Sequence, residues 1–197
     1  MTVLLAVGLG NPGEKYSDTR HNAGFWFVDH LASHYGANFQ HDKKIGGDTA
    51  RITVGNRSVW LLKPGSFMNH SGQSVGAMAR FYRIDAKNIL IAHDELDFLP
   101  GTAKLKSAGG HGGHNGLRDI ISHLSSREFK RLRIGIGHPG ASRDVANYVL
   151  HSPPKTEKSA IEESLSLALS VFPSLIQGEW QQAVHQLHQP DNQSIGN

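Results

Sequence analysis

The apolar residues of this chain form two kinds of pattern, which alternate along the sequence. Short apolar runs bounded by Gly, Pro or Asn are typical of buried strands. They occur at residues 3–9, 51–54, 58–62, 88–92 and 132–136, and residues 102–106 form a half-exposed run. Because Gly55, Asn56 and Arg57 separate the second run from the third, these two runs predict a β-hairpin.

Apolar residues at helical spacing lie between these runs and predict helices. They cover residues 23–35, 73–82 and 117–124, and a later helix carries Ile161, Leu165, Leu169 and Phe172. Strands that alternate with helices indicate an α/β protein with a mostly parallel sheet, and the hairpin makes the sheet mixed. We therefore predict a single compact domain over residues 1–188, with a twisted mixed sheet and helices on both faces. Residues 189–197 are predicted to form a polar C-terminal tail.

The composition narrows the class of protein. The 197 residues include no Cys, which excludes thiol catalysis, thiolate metal sites and disulfides. The N-terminus has no basic segment before its apolar run, and the apolar stretch at 164–178 is short and interrupted by Pro173. We therefore expect a cytoplasmic protein without a signal peptide or membrane association. With 20 Lys and Arg against 17 Asp and Glu, the net charge of +3 suggests an anionic partner.

Polar side chains gather in the loops that follow the predicted strands. In open α/β sheets, ligands bind at the carboxyl ends of the strands. Any one Asn or Asp in such a loop is more often a turn residue than a functional one. Several together on one edge of the sheet are harder to explain in that way, and they predict a binding or catalytic site. The residues concerned are Asn11, His21, Asn69, Asp94 and Asn115.

Two short motifs suggest other chemistry. Residues 8–13 match G-x-G-x-x-G, but the polar residues 14–18 follow where a dinucleotide site needs a helix, so dinucleotide binding is disfavoured. Residues 72–76 match G-x-S-x-G, with Asp94 and His114 later in the order of a serine esterase. Ser74 falls in a predicted helix and not on a sharp turn after a strand. The serine esterase nevertheless stays open as an alternative.

A metal site is the third alternative. His111 and His114, together with His93, Asp94 and Glu95, could supply ligands. Metal ligands are normally held on rigid elements by further hydrogen bonds, and a His pair among five glycines lacks that support. A mobile glycine-rich loop that contacts the backbone or phosphate of a ligand is the favoured interpretation. We therefore predict no metal.

Five sequence blocks in order resemble the bacterial-type peptidyl-tRNA hydrolase family. The resemblance extends over about residues 3–188, and the one departure we see is His70, where the family usually has an apolar residue. Each block is more specific than an isolated glycine motif. The blocks lie at residues 8–24, 67–72, 93–97, 109–116 and 131–140.

The resemblance implies an activity and a role for each matching residue. The activity is hydrolysis of the ester that joins a peptide to the 3′-terminal ribose of tRNA, in peptidyl-tRNA released prematurely from ribosomes, which recycles the tRNA. It implies a monomer that needs no metal or cofactor and contacts the acceptor arm, the 3′-terminal adenosine and the C-terminal end of the peptide. His21 matches the catalytic base, Asp94 the carboxylate that stabilises it, and Asn11 the residue that distinguishes peptidyl-tRNA from aminoacyl-tRNA. The matching substrate contacts are Tyr16, Phe67, Met68, Asn69 and Asn115.

The chemistry is reasonable on general grounds. An ester is an activated acyl group, so water and a general base suffice, and His is the side chain whose pKa suits that role. Lys104 and Lys106 alternate on a predicted strand and share one face; with Arg133 they match a clamp for tRNA phosphates. A solvated edge strand protected by Lys would show the same pattern. A non-catalytic RNA-binding protein on this fold is the remaining alternative.

Overall fold

The computed structural model describes residues 2–188, so the predicted tail at 189–197 lies outside the described residues. Seven strands form one sheet: β1 (Leu5–Gly8), β2 (Gln40–Asp42), β3 (Gly47–Val54), β4 (Arg57–Pro64), β5 (Ile89–Glu95), β6 (Ala103–Ser107) and β7 (Lys130–Gly135). Their order across the sheet is β2-β3-β4-β1-β5-β7-β6. Strands β4, β1, β5 and β7 are parallel, whereas β3 and β6 pair antiparallel with their neighbours. The predicted mixed and mostly parallel sheet is confirmed.

Within residues 2–188 six α-helices cover the sheet, and their placement on both faces is as predicted. They are α1 (Ala23–His34), α2 (Ser71–Phe81), α3 (Asn115–Leu124), α4 (Val145–Val149), α5 (Lys155–Gln177) and α6 (Trp180–His188). Helices α1, α5 and α6 bury their apolar residues in one cluster with Leu90 and Leu132 of the sheet. Helices α2 and α3 bury theirs in a second cluster with Leu5 and Ile91. The central strands are therefore covered on both sides, which explains their nearly continuous apolar sequences.

The long helix α5 belongs to the core. By length and composition alone its 23 residues could cross a membrane, as the core helices of many proteins could. Its side chains Ile161, Leu165, Phe172 and Ile176 are fully buried, and the Phe172 ring packs edge-on against Phe27 of α1 at 6.2 Å between centroids. Truncating a buried Phe of this kind to Ala costs about 3–5 kcal/mol of folding free energy.

The first strand of the hairpin and the strand before it show where the apolar pattern predicts the sheet incompletely. Strand β3 begins at Gly47, four residues before the predicted apolar run. The apolar pattern does not extend to these four residues because they are small or polar. The short strand β2 was not predicted, since Gln40, His41 and Asp42 have no apolar pattern. Neither difference affects the edge of the sheet at which the polar loops gather.

Candidate active site

A cavity of about 690 Å³ opens at the carboxyl ends of β5 and β7. Its walls also include the His21 turn (Arg20–Asn22), the glycine loop (109–114), helix α4, and residues of β6 and α3. The residues that line it include His21, Asp94, His114, Lys106, Arg133 and Val149. Of the five loop residues singled out in the sequence, His21, Asp94 and Asn115 line this cavity, whereas Asn11 and Asn69 do not.

Asp94 lies at the centre of the polar groups in this cavity. It is on β5 and only 4% exposed. His21 Nδ1 lies 2.8 Å from one carboxylate oxygen, Oδ2, and His114 Nε2 lies 2.8 Å from the other, Oδ1. The two imidazole rings are 5.2 Å apart between centroids. Both oxygens of one buried carboxylate are thus bound by a histidine.

These hydrogen bonds determine which ring nitrogen carries the proton. His21 donates its Nδ1–H to Asp94, so its Nε2 lone pair is the basic atom, and that atom has no acceptor or donor partner within residues 2–188. The Nδ1 of His114 accepts the backbone N–H groups of Gly116 and Leu117 at the start of α3, so its proton lies on Nε2 and is donated to Asp94. The carboxylate therefore orients two imidazoles, each through one N–H donor.

The electrostatics of the pair favour a histidine base. Burial of the His21 ring opposes its protonation, but the charge of Asp94 and the hydrogen bond to it outweigh burial, so the pKa of His21 is raised above its ordinary value. Burial alone would raise the pKa of the Asp94 carboxyl; the two imidazoles reverse this and hold that pKa well below its usual range. Asp94 is therefore ionised whenever His21 needs its charge.

Two glycines allow α1 to bring His21 this close to the sheet. A Cβ on Gly24 would lie 2.2 Å from the carbonyl oxygen of Ala92, and a Cβ on Gly8 would lie 2.2 Å from the carbonyl oxygen of Gly24. Backbone therefore packs directly on backbone, and the N–H of Phe25 donates to the carbonyl of Leu9 at 3.2 Å. The glycines at the start of the chain serve this close packing, and a 3-10 turn (Glu14–Tyr16) follows them where a dinucleotide site needs an α-helix.

Asn11 is held rigidly beside the His21 turn. The side chain of Asn22 accepts the Asn11 N–H at 2.8 Å and donates to the Asn11 carbonyl at 3.0 Å. The Asn11 Oδ1 accepts the backbone N–H of Met68 at 2.8 Å. Because these bonds fix the amide, its Nδ2 stays available as a donor, with no acceptor among the described residues.

Of the predicted substrate contacts, Asn115 lines the cavity, whereas the lining does not include Tyr16, Phe67, Met68 or Asn69. Tyr16 and Phe67 meet edge to face at 6.1 Å between centroids, and Phe67 is 54% exposed. Asn69 and Asn115 are exposed. The side chain of Met68 is buried, so this residue reaches the site only through the backbone N–H that binds Asn11.

The predicted cations Lys104, Lys106 and Arg133 form what we call the basic edge, where β6 pairs with β7. Lys104 lies opposite Arg133 in the antiparallel ladder, and Lys106 lies opposite Arg131. Arg133 Nε donates to Glu95 at 2.8 Å, while Lys106 is exposed on the rim of the cavity. The neighbouring Arg131 is buried and donates to the carbonyls of Gly109 and Gly110, so it holds the glycine loop in place.

The structure does not support the serine esterase. Ser74 is buried within α2, and its hydroxyl donates to the Gly46 carbonyl at 2.7 Å. It does not line the cavity that contains Asp94 and His114. The matching motif is therefore a feature of helix packing and not a nucleophile.

The metal-ligating atoms that come together are not the set considered from the sequence. Atoms of His21, Asp94 and His114 lie within 4.8 Å of one another. The two nitrogens involved donate to Asp94, so a cation would have to replace both hydrogen bonds. His93 instead donates its Nδ1–H to the Asp94 carbonyl, and burial is the main cause that lowers its pKa to about 3.

Sequence reasoning missed the role of His114. The sequence placed it in a glycine-rich loop, where a side chain is expected to be mobile. What fixes it is its position as the N-cap of α3 and the support that Arg131 gives the loop. The signal in the sequence is the helical pattern predicted for residues 117–124, which starts three residues after it.

Comparison with known proteins identifies the family of this chain. A family model described as "Peptidyl-tRNA hydrolase" matches residues 5–194. The chain belongs to the peptidyl-tRNA hydrolase family. The predicted family is thereby confirmed, and with it the enzyme class, a hydrolase.

Individual members of the peptidyl-tRNA hydrolase family show the same likeness. The chain is 52% identical over 188 residues to the peptidyl-tRNA hydrolase of Ruthia magnifica subsp. Calyptogena magnifica, covering 95% of this chain and 98% of that protein. It is 50% identical over 184 residues to that of Halorhodospira halophila, covering 93% and 95%. A solved structure of peptidyl-tRNA hydrolase from Acinetobacter baumannii superposes with a TM-score of 0.92 at 50% identity, covering 94% of each chain.

Proposed function

We propose that this chain hydrolyses the ester bond of peptidyl-tRNA with a water molecule that His21 activates. Membership of the family, at about half identity over nearly the full length, supports the reaction. The observation that supports the mechanism is the 2.8 Å contact between His21 Nδ1 and Asp94 Oδ2, which leaves Nε2 as the free base. A base of this kind contributes about 10²–10⁴-fold to the rate.

The reaction proceeds in two proton transfers. His21 Nε2 takes a proton from water while the water oxygen bonds to the ester carbonyl carbon. Asp94 stabilises the imidazolium that forms, as the carboxylate does in a catalytic triad. When the tetrahedral intermediate collapses, the bond to the ribose 3′ oxygen breaks, and that oxygen takes the proton from His21. The products are the free peptide and the tRNA.

The amide side chains hold the peptide end of the substrate. Asn11 presents a fixed Nδ2–H donor beside the His21 turn, and Asn69 and Asn115 supply exposed amides around it. Uncharged donors can bind a peptide carbonyl or the developing oxyanion without adding a competing charge. Tyr16 and Phe67 offer flat apolar surface for a peptide side chain or the terminal base.

The basic edge binds the tRNA phosphates. Lys104, Lys106 and Arg133 lie on the same face of the β6–β7 ladder, and Lys106 and Arg133 line the cavity. Phosphate contacts give affinity and position without reading sequence, which suits an enzyme acting on many tRNAs. The monomeric state, the cytoplasmic location and the independence of metal stay predictions.

The test is peptide release from N-acetyl-aminoacyl-tRNA, with and without EDTA. We expect release at the same rate in both, and no release from an unblocked aminoacyl-tRNA. A non-catalytic RNA-binding protein would retain the tRNA without releasing the amino acid. Loss of activity in EDTA, restored by a divalent cation, would contradict the mechanism and favour a metal held by His21, Asp94 and His114.

A further inference from the structure

Arg20, the residue before His21, is a buried cation with an unusual set of partners. Arg20 is only 6% exposed. The Nη1 group lies 3.3–3.4 Å from the carbonyl oxygens of Tyr148, His151 and Ser152. The Nη2 group donates to Glu157 at 3.0 Å, and the guanidinium carbon lies 4.0 Å from the centroid of the Tyr148 ring.

All of these partners lie in one segment, the α4–α5 junction (148–157). The backbone N–H of Arg20 also donates to the His151 carbonyl in this segment, at 3.1 Å. The junction includes the end of α4, whose side chains Val145 and Val149 form a wall of the cavity. The Tyr148 hydroxyl donates to the Ile136 carbonyl, which ties the same helix to the end of β7. One side chain therefore joins the base to the opposite wall of the site.

The His21 turn needs anchors of this kind. The turn has two backbone hydrogen bonds of its own, from the Asn22 N–H to the Thr19 carbonyl and from the Ala23 N–H to the Arg20 carbonyl, so its position on the sheet depends on contacts with other segments. Asn22 fixes the turn to the Asn11 loop on one side, and Arg20 fixes it to the α4–α5 junction on the other. His21 lies between these two anchors, so its ring position depends on both.

We propose that Arg20 is a positioning residue for the reaction: it holds the His21 turn and the α4 wall in one arrangement, which keeps His21 Nδ1 within hydrogen-bonding distance of Asp94. The inference rests on the proposed role of His21 as the base. Arg20 does not touch the reacting atoms. Its planar fork of donors reaches several carbonyls and a carboxylate at once, which the single ammonium of Lys cannot do.

The decisive variant is Arg20→Lys, which keeps the charge and removes the fork. We expect kcat on a minimal blocked aminoacyl substrate to fall about tenfold or more, since a displacement of 1 Å in a catalytic group has effects of that size. We also expect the pKa of the His21 ring, measured by NMR, to fall as Asp94 becomes a less close partner. The groups that face this ring are Asp94 from β5 and His114 from the start of α3.

Two further variants keep the test independent of folding. Glu157→Gln removes one anchor and spares the three carbonyl contacts, so it should move kcat and the His21 pKa in the same direction by less. Arg80→Lys changes an exposed arginine of α2 and should match the parent. Denaturant midpoints, measured for each variant, correct kcat for any unfolded fraction.

The possible outcomes are distinct. If Arg20→Lys lowers kcat only in proportion to the folded fraction, with the His21 pKa unchanged, Arg20 is structural and the inference is wrong. Parent values of both quantities would also overturn it. If His21→Gln instead keeps its activity, it is the proposed function that fails, and the NMR titration still reports whether Arg20 positions the ring.

Discussion

The Asp94 centre and the basic edge lie on the same cavity but differ in almost every physical respect. Asp94 is buried, and its two oxygens are bound by imidazoles at 2.8 Å. In the basic edge Lys106 is exposed, Lys104 and Arg133 are half-buried, and Arg133 forms an ion pair with Glu95. Interactions between buried groups depend on distance and orientation, whereas exposed charges are screened by salt and act almost independently.

Because of this difference, the two regions suit different roles in the site. A base must be placed to within a fraction of an ångström, which burial and fixed hydrogen bonds provide. A clamp for phosphates must tolerate substrates that differ in sequence, which long exposed cations provide. Mutations on the two sides should therefore change different kinetic constants, and the four predictions below, in decreasing size of effect, test that separation.

The largest effect is expected for His21→Ala. Loss of the base should lower kcat by about 10²–10⁴-fold and leave the affinity for tRNA intact, because the basic edge is unchanged. Single-turnover release of peptide and equilibrium binding of deacylated tRNA measure the two quantities. A kcat within threefold of the parent would remove His21 from the mechanism.

The next effect is expected for Asp94→Asn. We expect kcat to fall about a hundredfold with little change in KM, since the amide cannot stabilise an imidazolium. The parent should be inactive below the raised pKa of His21, where the base is protonated. Without the Asp94 charge that pKa falls, so the acid limb of the kcat profile should move to lower pH.

His93→Ala provides the contrast for Asp94→Asn. His93 contacts the backbone of Asp94 and the ring of His114, but neither the Asp94 carboxylate nor the His21 ring. The acid limb of the kcat profile of His93→Ala should therefore lie at the same pH as that of the parent. An acid limb that moved in His93→Ala as far as in Asp94→Asn would mean that Asp94 is not the partner of His21.

A smaller effect is expected for Lys106→Ala and Arg133→Ala. Each should raise KM for full-length substrate about tenfold and reduce the slope of log affinity against log salt by up to about one unit. Chemistry on a blocked amino acid carried by a short 3′ fragment should be unchanged. We expect the larger loss for Lys106, because Arg133 is already paired with Glu95. Equal losses on both substrates would show that these residues support the fold, and the separation of the two regions would not hold.

The smallest effect is expected for Ser74→Ala. Its hydroxyl bonds only to the Gly46 carbonyl, so kcat should be unchanged and the free energy of unfolding should fall by about 1 kcal/mol. Urea unfolding and peptide release measure these quantities. Loss of activity in a folded protein would restore the serine esterase.

The sequence was informative wherever local pattern and position on a strand determine the structure. His21 and Asp94 were predicted because polar residues after buried strands meet at one edge of a parallel sheet. Helix α6 was not predicted: its residues are mostly polar, and only Ala183 and Leu187 are buried. An apolar stripe of two residues is too weak a pattern to recognise without the β6 strand it covers.

The parts that the sequence could not provide are contacts between distant segments. In the sequence Arg131 is one of several cations close together. No local pattern indicates that it is buried or that it donates to the carbonyls of Gly109 and Gly110. Arg20 adjoined a catalytic candidate, but its partners lie more than a hundred residues further along the chain. Side chains that act across such separations can be recognised only once the fold brings them together.

The close packing of Gly24 on Ala92 and of Gly8 on Gly24 has a consequence for the order of folding. Helix α1 can dock only on strands that already lie side by side, because the surface it packs on is the paired backbone of β1 and β5. These strands are joined by contacts between residues far apart in sequence, which form late. A refolding chain should therefore become active only when its central sheet is complete, and recovery of activity reports that final step directly.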